Sequence, residues 1–125
     1  MAPRLTDEIL AQIASISPQE AMDFVASRDL LTLSTANELA QTALDKADDA
    51  PAQAERWLAA AVQLHEALDG DDDTAGLLHY ARARLHVTAG ELRLAARELA
   101  LARDHWQNAG NRRGVVRSAL GESQL

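Results

Sequence analysis

The chain has 125 residues, enough for one domain of ordinary size and too few for two. It contains 26 Ala and 19 Leu but only 8 Ile and Val together, and 3% aromatic residues, which favours helices and argues against a β-sheet. The 47% apolar content is too high for a disordered chain, and no apolar run reaches the roughly 20 residues of a membrane span. The net charge of −7 opposes binding to nucleic acid or to an anionic membrane.

The first 33 residues carry the signals of two short helices. Asp7-Glu8 and the apolar spacing after them predict a first helix over 7–15. Ser17-Pro18-Gln19-Glu20 has the pattern of a capping box with proline at the first helical position, and it predicts a second helix to about Ser27. We expect residues 1–33 to form an N-terminal helical hairpin or cap.

The next two helices are predicted from a second capping box and from a long apolar stripe. Thr35-Ala36-Asn37-Glu38 is expected to open the third helix, and the fourth is expected over about 52–68. Gly70 is expected to end the fourth helix in a left-handed cap. The residues predicted to face inward on the fourth helix are Ala54, Trp57, Leu58, Ala61, Leu64 and Leu68.

Three more helices follow, separated by glycines. Three aspartates (71–73) suit the positive start of a fifth helix over about 74–89, a sixth is expected over about 91–108, and a seventh begins near Asn111. The fifth helix is predicted to bury Leu78, Ala81, Leu85 and Thr88. The sixth is predicted to bury Leu92, Ala95, Leu99, Ala102 and Trp106.

Residues in the second half of the chain recur at a fixed distance. Gly76-Leu77-Leu78 precedes Gly114-Val115-Val116 by 38 residues, and the same shift places the fourth predicted helix on the sixth. The repeating unit is therefore a helical hairpin, which must stack on its neighbours to bury its apolar face. We predict an all-α stack of antiparallel hairpins with about seven helices: two hairpins over 34–110 and a capping or truncated repeat helix over 111–125.

Ala89-Gly90-Glu91-Leu92, followed by Ala95, Leu99 and Ala102, resembles the tetratricopeptide repeat, with the likeness covering roughly residues 35–121. This resemblance implies a right-handed α-solenoid that binds other proteins and performs no catalysis. The stretch from Asp104 to Gly121 is similar to longer repeats in bacterial multidomain proteins, which often precede CHAT-type peptidase or signalling domains. Together with the absence of cysteine, it implies a bacterial, cytoplasmic protein.

First helices line the concave side of such a stack, and this placement yields candidate partner-binding residues. Tyr and Arg are residue types that commonly anchor interfaces, so the expected ligand is an acidic peptide, extended or helical. The alternative for this group is that Tyr80 packs between hairpins and that Arg84 is simply solvated. The candidate groove residues are Leu77, Tyr80, Arg84, Val87, Val115 and Ser118.

The charges suggest a second function, because residues 1–73 carry a net −11 and residues 74–125 a net +4. An acidic half of one copy that meets the basic half of another would make the chain a self-assembling homo-oligomer. The alternative is two solvated surfaces with no partner. The residues expected to form a basic surface are Arg82, Arg84, Arg93, Arg97, Arg112 and Arg113.

Motifs for chemistry are incomplete. His65-Glu66 begins like the zinc motif H-E-x-x-H but has Asp69 in place of the second histidine. The alternating aspartates at 69–73 lack the glycine and glutamate of a calcium loop. His79 and His86 are expected to be partly buried and to face a carboxylate such as Glu98. No enzyme, metal or cofactor is therefore predicted.

Overall fold

The computed structural model describes residues 4–125, and within that range the chain forms seven α-helices and no strand, which confirms the all-α prediction. The helices run, in chain order, as α1 (Asp7–Ser15), α2 (Pro18–Ser27), α3 (Leu33–Lys46), α4 (Pro51–Ala67), α5 (Asp72–Thr88), α6 (Leu92–Ala109) and α7 (Arg112–Ser123).

Side-chain caps determine where the helices of the first half begin. The capping box of α2 is present as predicted: the Glu20 N–H donates to the Ser17 hydroxyl at 3.1 Å, and the Ser17 N–H donates to the Glu20 carboxylate at 3.4 Å. The expected start of α3 at Thr35 is wrong, because Thr32 is the N-cap. Its hydroxyl accepts from the Thr35 N–H at 3.1 Å, so Thr35 enters the helix and is buried.

The turn after α4 also differs from the expectation. Asp69 occupies the left-handed region with φ 49°, and Gly70 does not. Glycine is required at 70 for space, because a Cβ there would overlap the ring of His65, whose Nε2–H donates to the Asp71 carbonyl at 2.9 Å. By contrast Gly110, with φ 73°, caps α6 in the left-handed conformation as predicted.

The helices pack mainly on their neighbours in the chain. α3 packs on α4, α5 on α6 and α6 on α7, while α5 also contacts α3 and α4, and α4 contacts α1 and α2. Small side chains allow these close approaches. The fully buried alanines of the core include Ala36, Ala40, Ala43, Ala47, Ala54, Ala61, Ala81, Ala95 and Ala102.

The burial expected for α4 is largely correct, and that expected for α5 and the start of α6 is partly wrong. On α4 five of the six predicted residues are buried, and Leu68 is half-buried. On α5, Leu85 is half-buried and Thr88 exposed, because contacts with three other helices bury five consecutive residues, 74–78, in its first half. Leu92, in the first turn of α6, is 48% exposed.

The helix starts give a clearer internal repeat than the sequence does. The N-caps Thr32 and Asp71 lie 39 residues apart, Ala50 and Glu91 lie 41 apart, and Asp71 and Asn111 lie 40 apart. The expected shift of 38 is therefore replaced by one of 39 to 41. At a shift of 41, three buried residues of α4 match identical buried residues of α6: Ala54 with Ala95, Leu58 with Leu99, and Ala61 with Ala102.

Candidate partner-binding cleft between α5 and α7

A shallow cleft of about 200 Å³ lies where the end of α7 approaches one side of α5. Its volume is below the roughly 300 Å³ at which pockets for small molecules begin, so it suits one or two side chains of a larger ligand. We call it the α5–α7 cleft; it is lined by Tyr80, Ala83, Arg84, Val87, Leu99, Gly121, Gln124 and Leu125.

Tyr80 anchors the α5–α7 cleft and is held on two sides. Its ring packs against the buried Trp106 of α6, with centroids 5.6 Å apart and planes tilted by 46°. The guanidinium carbon of Arg117, on α7, lies 4.4 Å from the centroid of the Tyr80 ring, within the range of a cation–π contact. The contact fixes a positive charge beside an aromatic ring at the edge of the cleft, which is a favourable place for a carboxylate.

Arg84 lies in the same cleft, but Asp48 in the turn after α3 already engages its guanidinium. Nε donates to Oδ1 at 3.2 Å and Nη2 donates to Oδ2 at 2.6 Å, and the Thr88 hydroxyl donates to the same carboxylate at 3.1 Å. The hydrogen bond from Arg84 is the main reason that the pKa of Asp48 lies below its ordinary value, and the same bond raises the pKa of Arg84. Arg84 is thus a fixed wall of the cleft.

Apolar side chains complete the α5–α7 cleft. Val87 on α5 and Leu125 after α7 are both exposed, and both face it. An apolar side chain placed between them would remove hydrocarbon from water, and Arg117 is close enough to attract an acidic group beside it. The cleft therefore has the chemistry to hold a short acidic and apolar peptide segment.

The structure brings three of the six candidate groove residues together and separates the other three. Tyr80, Arg84 and Val87 share the cleft. Leu77 is buried in the core, and Ser118 is fully buried with its hydroxyl donating to carbonyls of its own helix, so neither presents a surface to a partner. Both face inward because α5 and α7 pack their small and apolar sides against other helices.

Val115, the remaining candidate, is half-buried on another side of α7. It lines a separate hollow together with the buried Trp106 and the exposed Val116. The register of α7 explains this: Gly114, Ser118 and the half-buried Gly121 form the face turned toward α6, so Val115 lies at the edge of that interface.

The arginines expected to form one basic surface are divided among three places. Arg82 lies 4.0 Å from Glu98, and Arg84 is bound to Asp48. Arg93 and Arg97 are exposed on α6, four residues apart. Arg112 and Arg113 are exposed in the first turn of α7.

The histidines join α5 to α6. The expected pair of His79 with Glu98 is present, with Nδ1–H donating to Oε2 at 2.6 Å, whereas His86 faces Glu91 at 3.0 Å. The ring of His79 also stacks on that of His105, with centroids 5.3 Å apart. Among residues 4–125 no three His, Asp or Glu side chains are grouped so as to hold a metal ion.

Sequence reasoning missed the α7 contribution to the cleft, namely Arg117, Gln124 and Leu125. The 38-residue shift matched Arg117 with His79 and assigned its helix a different face. The helix caps Asp71 and Asn111 contained the correct shift, since each aligns the start of a first helix.

None of the helices in the described range combines the length and apolar character needed to cross a membrane. The chain matches no protein-family model, and neither the curated proteins nor the solved structures contain a match to it.

Proposed function

We propose that the chain is a non-enzymatic protein–protein interaction scaffold, built as a right-handed, tetratricopeptide-like stack of antiparallel helical hairpins, and that it binds a partner peptide in the α5–α7 cleft. The recurrence of helix starts at 39 to 41 residues supports the stack, because this period lies within the range of helix-pair repeats. Contacts of α5 with both α3 and α4 support stepwise packing of one pair on the next.

The observation that carries the proposal is the Tyr80 ring with the Arg117 guanidinium over it, beside exposed apolar side chains in a cleft too small for a metabolite. Tyr and Arg in a partly enclosed site are the residue types that dominate binding energies at protein interfaces. The positive charge of Arg117 favours a ligand with a carboxylate next to an apolar side chain.

The experiment is a selection of displayed random peptides on the full chain, followed by affinity measurements on the enriched sequences. We expect the enriched peptides to combine acidic and apolar residues, and Arg117→Glu to weaken their binding by about tenfold or more, because it places like charges together. Arg93→Glu, which changes an exposed arginine on α6, is the matched control and should leave affinity within about twofold. Equal affinities for the two variants would contradict the assignment of the cleft.

The uneven charge supports a second candidate function, assembly of copies through the acidic half of one and the basic half of the next. Acidic residues of α1 and α2 are exposed, as are the four arginines at 93, 97, 112 and 113. Light scattering tests it: contacts of this kind weaken as salt rises, so the average mass should fall with ionic strength. A monomer at all salt concentrations would remove this candidate.

A further inference from the structure

One face of α7 is apolar, strongly exposed and bordered by cations. Val116 is 57% and Leu120 is 58% exposed, the highest values among the exposed large apolar side chains of the described residues. Shallow hollows with volumes of about 420 and 430 Å³ lie on this side of the helix. We call it the outer α7 face and define it by Arg112, Arg113, Val116, Arg117 and Leu120.

The internal repeat shows what kind of element covers such a face. The caps Asp71 and Asn111 align α7 with α5 at a shift of 40, so Val116 corresponds to Gly76 and Leu120 corresponds to Tyr80. Both α5 residues face α6. The indole of Trp106 occupies the place that a Gly76 side chain would take, and it packs on Tyr80. The outer α7 face is therefore the equivalent of the surface on α5 that a following helix covers.

The charges at this face are reversed relative to α5. The first turn of α5 contains Asp72 and Asp73, and groups at the end of α6 bind them: His105 donates to the Asp72 carboxylate at 2.8 Å, and the Trp106 indole donates to the Asp73 carbonyl at 3.1 Å. At the same shift, α7 has Arg112 and Arg113. Two cations at the positive end of a helix are unfavourable, and the first turn of α7 contains no acidic residue to offset them.

We propose that the outer α7 face binds an amphipathic helix of a partner protein, packed as α6 packs on α5, with the end of the partner helix at the start of α7. A helix packed in this way carries an apolar stripe over Val116 and Leu120. It carries carboxylates in its last turn, where α6 has His105, and these neutralise Arg112 and Arg113.

The charge distribution argues for a different protein over a second copy of this chain. In α1 and α2 the acidic residues of the terminal turns stand in the first turn, Asp7 and Glu8 in α1 and Glu20 in α2, which is the wrong end for this packing. Pairing of two α7 helices would place arginines against arginines. The helices α3 and α4 are already packed within the core.

The proposal is tested with synthetic peptides and the full chain. The probe is a fluorescein-labelled helical peptide of 18 residues, the length of α6, with Leu and Ala at helical spacing and two Glu in its last turn. Fluorescence anisotropy should show that it binds about tenfold more tightly than the same peptide with both Glu moved to its first turn. The double variant Val116→Gln/Leu120→Gln should weaken this binding by about tenfold or more.

The matched control is Leu101→Gln, which changes an exposed leucine on α6 and should alter the affinity by less than about twofold. Equal binding of the two peptides would overturn the proposal, as would binding that the double variant leaves unchanged. Peptide binding abolished by Val87→Asp and insensitive to the double variant would support the α5–α7 cleft and overturn the present inference. A dimer that the double variant disperses would identify a second copy as the occupant and would also overturn it.

Discussion

The pair α3–α4 and the pair α5–α6 are packed by different means. Between α3 and α4 the buried residues are mainly small and apolar, and no side-chain hydrogen bond joins the two helices in the described range. Between α5 and α6 three polar contacts cross the interface, from His79 to Glu98, from His105 to Asp72 and from Trp106 to the Asp73 carbonyl. Alanine permits close approach at many registers, whereas paired polar groups fix one register.

The α5–α6 pair needs this fixed register because α7 is positioned by the same residues. Trp106 fills the space beside Gly76 on α5 and beside Gly114 on α7, so one side chain places three helices. The ion pair of Arg103 with Glu122, at 2.6 Å, adds a second link from α6 to α7. The surfaces proposed for binding, the cleft and the outer α7 face, both depend on that placement.

The largest expected effect comes from Trp106→Ala, which should lower the free energy of unfolding by about 3–5 kcal/mol. The substitution empties a buried site and removes the hydrogen bond to Asp73. Hydrogen exchange should show α7 losing protection first, because its packing on α6 depends on the indole. Urea unfolding followed by circular dichroism measures the stability loss.

The matched variant is Trp57→Ala on α4. Trp57 is also buried, and its indole donates to the Leu10 carbonyl of α1 at 2.8 Å. We expect a similar loss of stability, but with the loss of exchange protection in α1. If both variants release the same segment, the two halves of the molecule form one cooperative unit and the comparison between them fails.

The next largest effect is expected for Gly114→Ala. Alanine favours a helix over glycine by up to about 1 kcal/mol, but its Cβ would overlap the Trp106 indole, so we expect a net loss of about 1–3 kcal/mol. Gly121→Ala in the same helix is the control, because its Cβ meets only Leu99 methyl groups at 3.2 Å, which can shift. Thermal unfolding should find Gly121→Ala close to the parent chain; a stabilised Gly114→Ala would contradict the close packing of Trp106.

A smaller effect is expected for Glu98→Ala, about 1–2 kcal/mol, because it leaves the His79 ring without its carboxylate partner in a half-buried interface. The control is Glu91→Ala, since Glu91 also faces a histidine, His86, but is largely exposed and should contribute less than about 1 kcal/mol. Equal urea midpoints for the two variants would show that the polar contacts of α5–α6 add no more than surface pairs do.

Sequence patterns predicted the features that depend on local chemistry. The bounds of α1 and the capping box of α2 agree with the structure, because both depend on residues within one turn. The predicted start of α3 was wrong because two threonines compete: Thr32 reaches the Thr35 N–H first. The prediction for Gly70 was wrong because the ring of His65, a tertiary neighbour, decides which residue has space.

The candidate site depended on register, which local patterns do not determine. α5 is buried on several sides, so its apolar residues do not form one stripe and its inward face could not be identified from spacing alone. Tyr80, Arg84 and Val87 were nevertheless placed on one side of α5, because spacings of three and four residues are fixed by helix geometry. The α7 residues required knowledge of how that helix turns toward α6.

The smallest expected effect concerns Asp48, which joins the two pairs, since it follows α3 and binds Arg84 and Thr88 of α5. Its folded-state pKa is lowered below the ordinary value of 3.8, so its stabilising contribution is complete above that value and is lost as the pH falls through the folded-state pKa. Asp48→Asn should therefore have a slightly lower urea midpoint than the parent chain at pH 7, and the difference should shrink below about pH 4. Asp49→Asn, a change at the neighbouring exposed aspartate, controls for net charge. A difference for Asp48→Asn that stays constant down to about pH 2, or one matched by Asp49→Asn, would show that the bond to Arg84 does not couple α3–α4 to α5–α6.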